Sequence, residues 1–140
     1  MEDFSGVFSS RQKSMVEKSP MKVAIIGSRQ RDSTEDKVSV FDLVNSLEIG
    51  DVVVSGGCRG IDIWAEQAAE RRGLDTMIFK PILNDHDSYS SMVRAYHDRN
   101  KKIVDSSDLL YAFPAVKGLS GGTKNTVDYA IKRGKKVIFK

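Results

Sequence analysis

VVVSGGCRGIDIWAEQAAERRG, residues 52–73, is the stretch whose reading decides the fold. The β-branched run Val52, Val53, Val54 suits a pleated, buried strand. Behind it stands a cluster of small residues, Ser55, Gly56, Gly57 and Gly60, with Arg59 among them. Ile61, Trp64, Ala65, Ala68 and Ala69 then recur at helical spacing, and Gly73 is a natural helix stop. A strand turns directly into a helix through glycines.

The same alternation runs along the chain on both sides. MKVAIIG (21–27) reads as a buried strand ended by glycine, and TEDKVSVFDLVNSL (34–47) as a helix. That helix has Val38, Phe41, Leu43, Val44 and Leu47 near one face and Ser33 or Thr34 as its N-cap. DTMIFKP (75–81) is a third strand, and SYSSMVRAYHDRNKKIVDSS (88–107) a long helix with Met92, Val93, Tyr96, Ile103 and Val104 as its apolar stripe. DLLYAFP (108–114), GGTKNTVDYAIKRG (121–134) and KKVIFK (135–140) complete a strand, a helix ending at Gly134, and a last strand. Strand and helix in strict alternation predict an α/β fold, Rossmann-like, with three αβα layers. Its five-stranded parallel sheet is expected in the order 3-2-1-4-5. A ligand crevice belongs outside the carboxyl ends of strands 1 and 4, where the order reverses. Residues 21–140 form this domain. Residues 1–20, polar and closed by Pro20, read as an N-terminal extension, flexible or loosely docked through Phe4, Val7 and Phe8.

Three strand ends lie on that one edge. They carry Gly27-Ser28-Arg29, the 55–60 cluster, and FPAVKGLSGGT (113–123). Two of the three are glycine-rich and open into a helix. Glycine lets backbone approach a ligand closely, and a helix start offers unpaired N–H groups with partial positive charge, so the pair makes an anion seat. Hydroxyls of Ser55, Ser120 and Thr123 and the guanidinium forks of Arg29, Arg59 and Arg99 suit phosphate oxygens. Neither G-x-G-x-x-G nor a P-loop is present, which argues against a dinucleotide dehydrogenase or a P-loop ATPase.

Composition sets outer bounds. No apolar run approaches the roughly 20 residues that span a bilayer, and the N-terminus lacks an apolar signal core, so no membrane partner is expected. Cys58 is the single cysteine, which excludes an internal disulfide and fits a reducing, cytoplasmic setting. The net charge of +3 is too small to argue for nucleic acid. NDHD (84–87) lacks a second ligand cluster, so no metal or other cofactor is expected. Cys58 reads as a small turn residue without a base beside it, Trp64 as core, and His97 as partly exposed. Lys117 could reach a phosphate or stand in solvent.

KVAIIGSR, VVSGGCRGIDIWAEQAA, RNKKIVDSSDLLYAFP and SGGTKNTVDYAIKRGKKV together resemble the SLOG superfamily of Rossmann-like domains, nearest its YspA/YpsA-related branch. Relatives of that branch are the LOG "lysine decarboxylase-like" phosphoribohydrolases and the DNA-processing protein DprA. The resemblance covers residues 21–140. It implies nucleotide binding through the glycine loops and a homo-oligomer, dimer or higher. LOG enzymes carry an arginine nine residues before the aspartate that opens strand 4, a spacing held here by Arg99 and Asp108. They continue with P-G-G-x-G-T-x-x-E. Here Pro114 is followed by an insertion before Gly121, Gly122 and Thr123, and Thr126 stands in the glutamate's place. Asp128, the nearest acid, lies about 200° round the helix and should point away.

The expected ligand residues are therefore Gly27, Ser28, Arg29, Ser55, Gly56, Gly57, Arg59, Gly60, Asp62, Arg99, Pro114, Ser120, Gly121, Gly122, Thr123 and Thr126. The expected function is binding of a nucleotide or nucleotide-derived small molecule by a sensor or sequestering module. One alternative is a phosphoribohydrolase, which cleaves the N-glycosidic bond of a nucleoside 5′-monophosphate, using Arg99 with Asp62 or Asp128. The other is DprA-like binding of single-stranded DNA, for which the modest charge and the lack of an aromatic row on the loops are a poor fit.

Overall fold

KVAIIG forms the central strand β1 (Lys22–Gly27), and its residues split between two cores. Val23 and Ile25 point into one, Ala24 and Ile26 into the other, and all four are buried. A strand apolar on both sides needs a layer on each face, and the chain supplies both. The computed structural model describes residues 20–140, so the expected N-terminal extension, with Phe4, Val7 and Phe8, lies outside the described residues except for Pro20.

Helices α1 (Thr34–Asn45) and α2 (Ile61–Arg72) close the first core with β1, β2 (Val52–Ser55) and Phe113. Helices α3 (Tyr89–Asp105) and α4 (Gly121–Lys132) close the second with β1, β2 and β4 (Leu109–Phe113). Strands β3 (Asp75–Ile78) and β5 (Lys136–Phe139) flank a five-stranded, all-parallel sheet of order β3-β2-β1-β4-β5. This is the expected α/β, Rossmann-like order. Each fully buried Val, Ile or Phe contributes about 1.5–3 kcal/mol. Ala65, Ala68 and Ala69 let α2 lie close on the sheet.

Local signals set the ends of the helices. Ser33 caps α1, its Oγ accepting from the Asp36 N–H at 3.1 Å while the Asp36 carboxylate accepts from the Ser33 N–H at 3.3 Å. Gly73 ends α2 in the left-handed region. Two expected apolar faces differ from the observed ones. Val38 is 53% exposed and Val40 takes its place in the core, because α1 presents Val40, Leu43 and Val44 to the sheet. In α3 only the last turns, with Ile103 and Val104, pack in the second core, while Met92 is exposed. The earlier turns of α3 face a cavity instead. No helix among the described residues is long and apolar enough to cross a membrane.

Candidate functional site

Where the strand order reverses, a cavity of about 610 Å³ opens beyond the carboxyl ends of β1 and β4. Gly27, Ser28 and Arg29 form one wall, and Ser120, Gly121, Gly122, Thr123 and Thr126 of the α4 start form another. Asp62, Arg99 and Asn100 make the floor. Tyr89, Val93, Tyr96 and His97, from the first turns of α3, make an aromatic side.

The floor is built on the second glycine turn. Arg99 is only 7% exposed, and its fork is held from several sides. Nη1 donates to the Gly56 carbonyl at 2.7 Å and to that of Phe79 at 3.3 Å. Nε donates to Asn100 Oδ1 at 3.0 Å, Nη2 lies 3.7 Å from Cys58 Sγ, and the guanidinium sits over the Tyr96 ring. Asn100 in turn donates to Asn125 on α4, which ties the two helices together. A Cβ at Gly56 would stand 2.8 Å from Arg99 Nη1 and 3.0 Å from Asp62 Oδ2, so glycine there is what lets both charged groups reach the backbone.

Asp62, also 7% exposed, accepts from the Cys58 N–H at 3.1 Å, and the Gly56 N–H faces it too. Burial pushes its carboxyl up to about 6, a rise that those N–H groups and the Arg99 charge partly oppose. The turn amide at Gly57 donates to Ser55 Oγ, which itself donates to Glu66 Oε2 at 2.7 Å. Here the structure differs from the sequence reading. The first half of the 55–60 turn is not an open phosphate cradle, because buried amides require an acceptor and Asp62 and Ser55 already take those of Gly56, Gly57 and Cys58. Ser55 is fully buried behind the turn. Gly56, Gly57, Gly60 and the exposed Arg59 likewise do not line the cavity.

The start of α4 is different. Ser120 makes no side-chain cap, Gly121 and Gly122 are exposed, and a Cβ built on either glycine would meet nothing within 4 Å. The helix end therefore faces the cavity with room in front of it. Thr126 is buried and its hydroxyl donates to the Gly122 carbonyl at 2.9 Å, so it braces the turn. Pro114 lies outside the cavity, its carbonyl taking Arg31 Nη1 at 2.8 Å. Gly27 lines the cavity for a packing reason as well. A Cβ there would lie 2.5 Å from Ile61 Cγ1 and 3.0 Å from Phe113 Cβ.

Of the three candidate catalytic residues, the fold brings Arg99 and Asp62 to one floor. It does not bring Asp128, which is exposed on the outer side of α4 and paired with Lys124. The Ser28 Oγ accepts from the Gln30 N–H, and Arg29 stands exposed at the mouth. Lys117 is exposed outside the cavity, and Trp64 packs half-buried against the first core. In 84–87 the Asn84 N–H donates to Asp87 Oδ2 at 2.7 Å, a closed turn. Among the described residues no group of three His, Cys, Asp or Glu could hold a metal ion.

Sequence reasoning missed Asn100, Gln30 and the Tyr89–Tyr96 pair as cavity residues. The R-N dipeptide at 99–100 was a usable signal. The aromatic side had none, since an apolar helix stripe reads the same whether it lines a core or a cavity.

Comparison with known proteins follows the same lines. No curated protein matches in sequence. Solved structures share the fold. DNA processing protein A from Streptococcus pneumoniae superposes with a TM-score of 0.67 at 22% identity over 86% of this chain and 50% of that one. The protein TM1055 gives 0.63 at 18% identity over 84% and 72%. The Moco carrier protein of Chlamydomonas rheinhardtii gives 0.52 at 21% identity over 87% and 76%. The chain thus spans about half the length of the pneumococcal protein. These likenesses show the Rossmann-like fold. A family model described as DNA recombination-mediator protein A matches residues 7–82, more than half of the sequence, and the chain belongs to that family.

Proposed function

We propose that the cavity binds a nucleotide or nucleotide-derived ligand, and that the protein works as a sensor or sequestering module. In this reading the phosphate sits on the amides of Gly121, Gly122 and Thr123, near Arg29. The base lies against Tyr89 and Tyr96, and the ribose hydroxyls turn to Asp62. The observation that carries it is the uncapped, exposed start of α4 facing a buried Arg99–Asp62 floor across one cavity. Isothermal titration against a panel of nucleoside mono-, di- and cyclic phosphates and ADP-ribose tests it. Saturable binding that Gly122→Val weakens supports the reading. No heat from any of the panel at high micromolar concentration ends it.

A second reading rests on Asp62. A buried carboxyl held near 6 can give or take a proton at neutral pH, so the same floor could cleave the N-glycosidic bond of a nucleoside monophosphate. No carboxylate of α4 lines the cavity to help it, since Thr126 stands where LOG enzymes have glutamate. Free base released from AMP, and lost in Asp62→Asn, supports this reading; a bound but intact nucleotide removes it. The family description makes single-stranded DNA a third candidate ligand. Its signature is salt-dependent retardation of an oligonucleotide. A cytoplasmic homo-oligomer, with residues 1–20 as an extension to the 21–140 domain, completes the proposal.

A further inference from the structure

The two edges of the sheet are complementary. At one edge, α2 overhangs β3 and leaves a groove of about 770 Å³ with Ile63 and Ile78 inside it. Glu66, Glu70 and Asp75 rim this groove. β3 carries no lysine or proline to blunt its free edge, and Ile78 is 43% exposed. The groove lies between α2 and the free edge of β3, with no further strand beyond β3.

At the other edge the reverse holds. Val137 of β5 packs into the α3/α4 core, so Lys136 and Ile138 face the opposite side of the sheet. That is also the side of Tyr111, which pairs with Ile138 and lies under Lys140 Nζ at 5.9 Å. Helices α1 and α2 cover this side over β1 to β3 and reach β4 through Phe113 and Tyr111, while neither makes more than scattered contacts with β5. Among the described residues, β5 is therefore a strand with no helix above it, alternating basic, apolar and basic.

We propose that the β3 groove receives strand β5 of a second copy, so that copies associate head to tail with the sheet continuing from one to the next. In that arrangement α2 of one copy covers the Lys136–Ile138–Lys140 face of its neighbour. Ile138 meets Ile63 and Ile78, while the lysines meet Glu70 and Glu66 of α2; Asp75 shares the opposite face with Met77. The charges also explain which edges join. β5 against β5 places lysines together and β3 against β3 places acids together, while β5 against β3 pairs opposite signs. Such a contact is heterologous and need not close into a ring. It does not depend on what the cavity binds.

Sedimentation velocity of the full chain tests this. At low ionic strength, species larger than a monomer should grow with protein concentration and disperse near 1 M salt, where screening reaches about 3 Å. A chain that stays monomeric at low salt and high concentration, or assemblies that ignore salt, would overturn the proposal. Charge reversal adds a second measurement. Glu70→Lys with Gln67→Lys, both on the α2 wall of the groove, and separately Lys136→Glu with Lys140→Glu, should each give monomers with unchanged circular dichroism. Mixed one to one, the two should assemble again, because each like-signed edge then finds its opposite. Association of either variant alone, or none in the mixture, refutes the β5-to-β3 contact.

Discussion

Replacing Asp62 by Asn should make the protein more stable at neutral pH and remove a pH dependence that the native chain carries. Burial lifts the folded-state value of Asp62 from 3.8 to about 6. The folded protein thus holds this proton more tightly than the unfolded chain does. The contribution of Asp62 is most favourable below about pH 4 and is lost as pH rises through 6. Each tenfold change in proton affinity is worth about 1.4 kcal/mol, so the full loss by pH 7.5 is about 2–3 kcal/mol. Asparagine has no such titration. Its carboxamide oxygen can still accept from the Cys58 N–H, while its NH₂ faces the Gly56 N–H at a cost of about 1 kcal/mol. The variant should therefore gain about 1–2 kcal/mol at pH 7.5 and lose about 1 kcal/mol at pH 4. Urea unfolding of both proteins at several pH values between 4 and 7.5 measures the difference, and subtraction cancels the other titrating groups. A stability difference that stays flat across that range would refute the reasoning, because it would mean that Asp62 is not desolvated.

Other substitutions probe the same framework. Gly27→Ala should destabilise by about 1–3 kcal/mol in urea melts, since its Cβ would stand 2.5 Å from Ile61 Cγ1 and has no flexible chain end to displace. Arg99→Ala strips the Gly56 and Phe79 carbonyls and Asn100 Oδ1 of their donor, and should cost about 2–4 kcal/mol of stability; a loss below about 0.5 kcal/mol would contradict the geometry. Gly122→Val meets open space, so calorimetric melting should move little while nucleotide affinity falls at least tenfold. Ser33→Ala should cost about 1 kcal/mol by removing the cap on α1.

What the sequence made legible is what local patterns encode. The apolar runs at 23–26, 52–54 and 109–113 needed burial on both faces, and strict alternation with helices left one sheet order as the natural reading. Ser33 and Gly73 announced their helix ends because capping acts within four residues. The misreadings have a common cause. Val38 and Val40 flank the same turn of α1, and only the packing of α1 onto the first core selects Val40. The bond from Arg99 to the Gly56 carbonyl joins positions 43 residues apart, so no window on the sequence contains it. The filling of the second glycine turn was hidden for another reason. An acid in the first turn of α2 is already explained by the helix dipole, so nothing in the pattern said that the Asp62 side chain folds back onto the Cys58 amide.

That folded-back carboxylate changes how the cavity's charge is distributed. Had the 55–60 turn been empty, Arg99 and two helix starts would have made the whole cavity attractive to anions. With Asp62 in the turn, the positive charge of Arg99 has a buried negative neighbour, and Glu66 adds to it nearby. The floor is left with little net charge but with a carboxylate able to accept from a hydroxyl, and with an arginine whose hydrogen bonds go to the Gly56 and Phe79 carbonyls and to the Asn100 and Cys58 side chains. The attraction for a phosphate is then concentrated at the α4 start and at Arg29, on the walls rather than on the Asp62 floor. A ligand suited to this division is anionic at one end and rich in hydroxyls at the other, with a flat middle for the tyrosines. The polarity of the cavity thus follows from the carboxylate that the Cys58 and Gly56 amides hold beside Arg99, in a turn that glycine makes narrow enough for it.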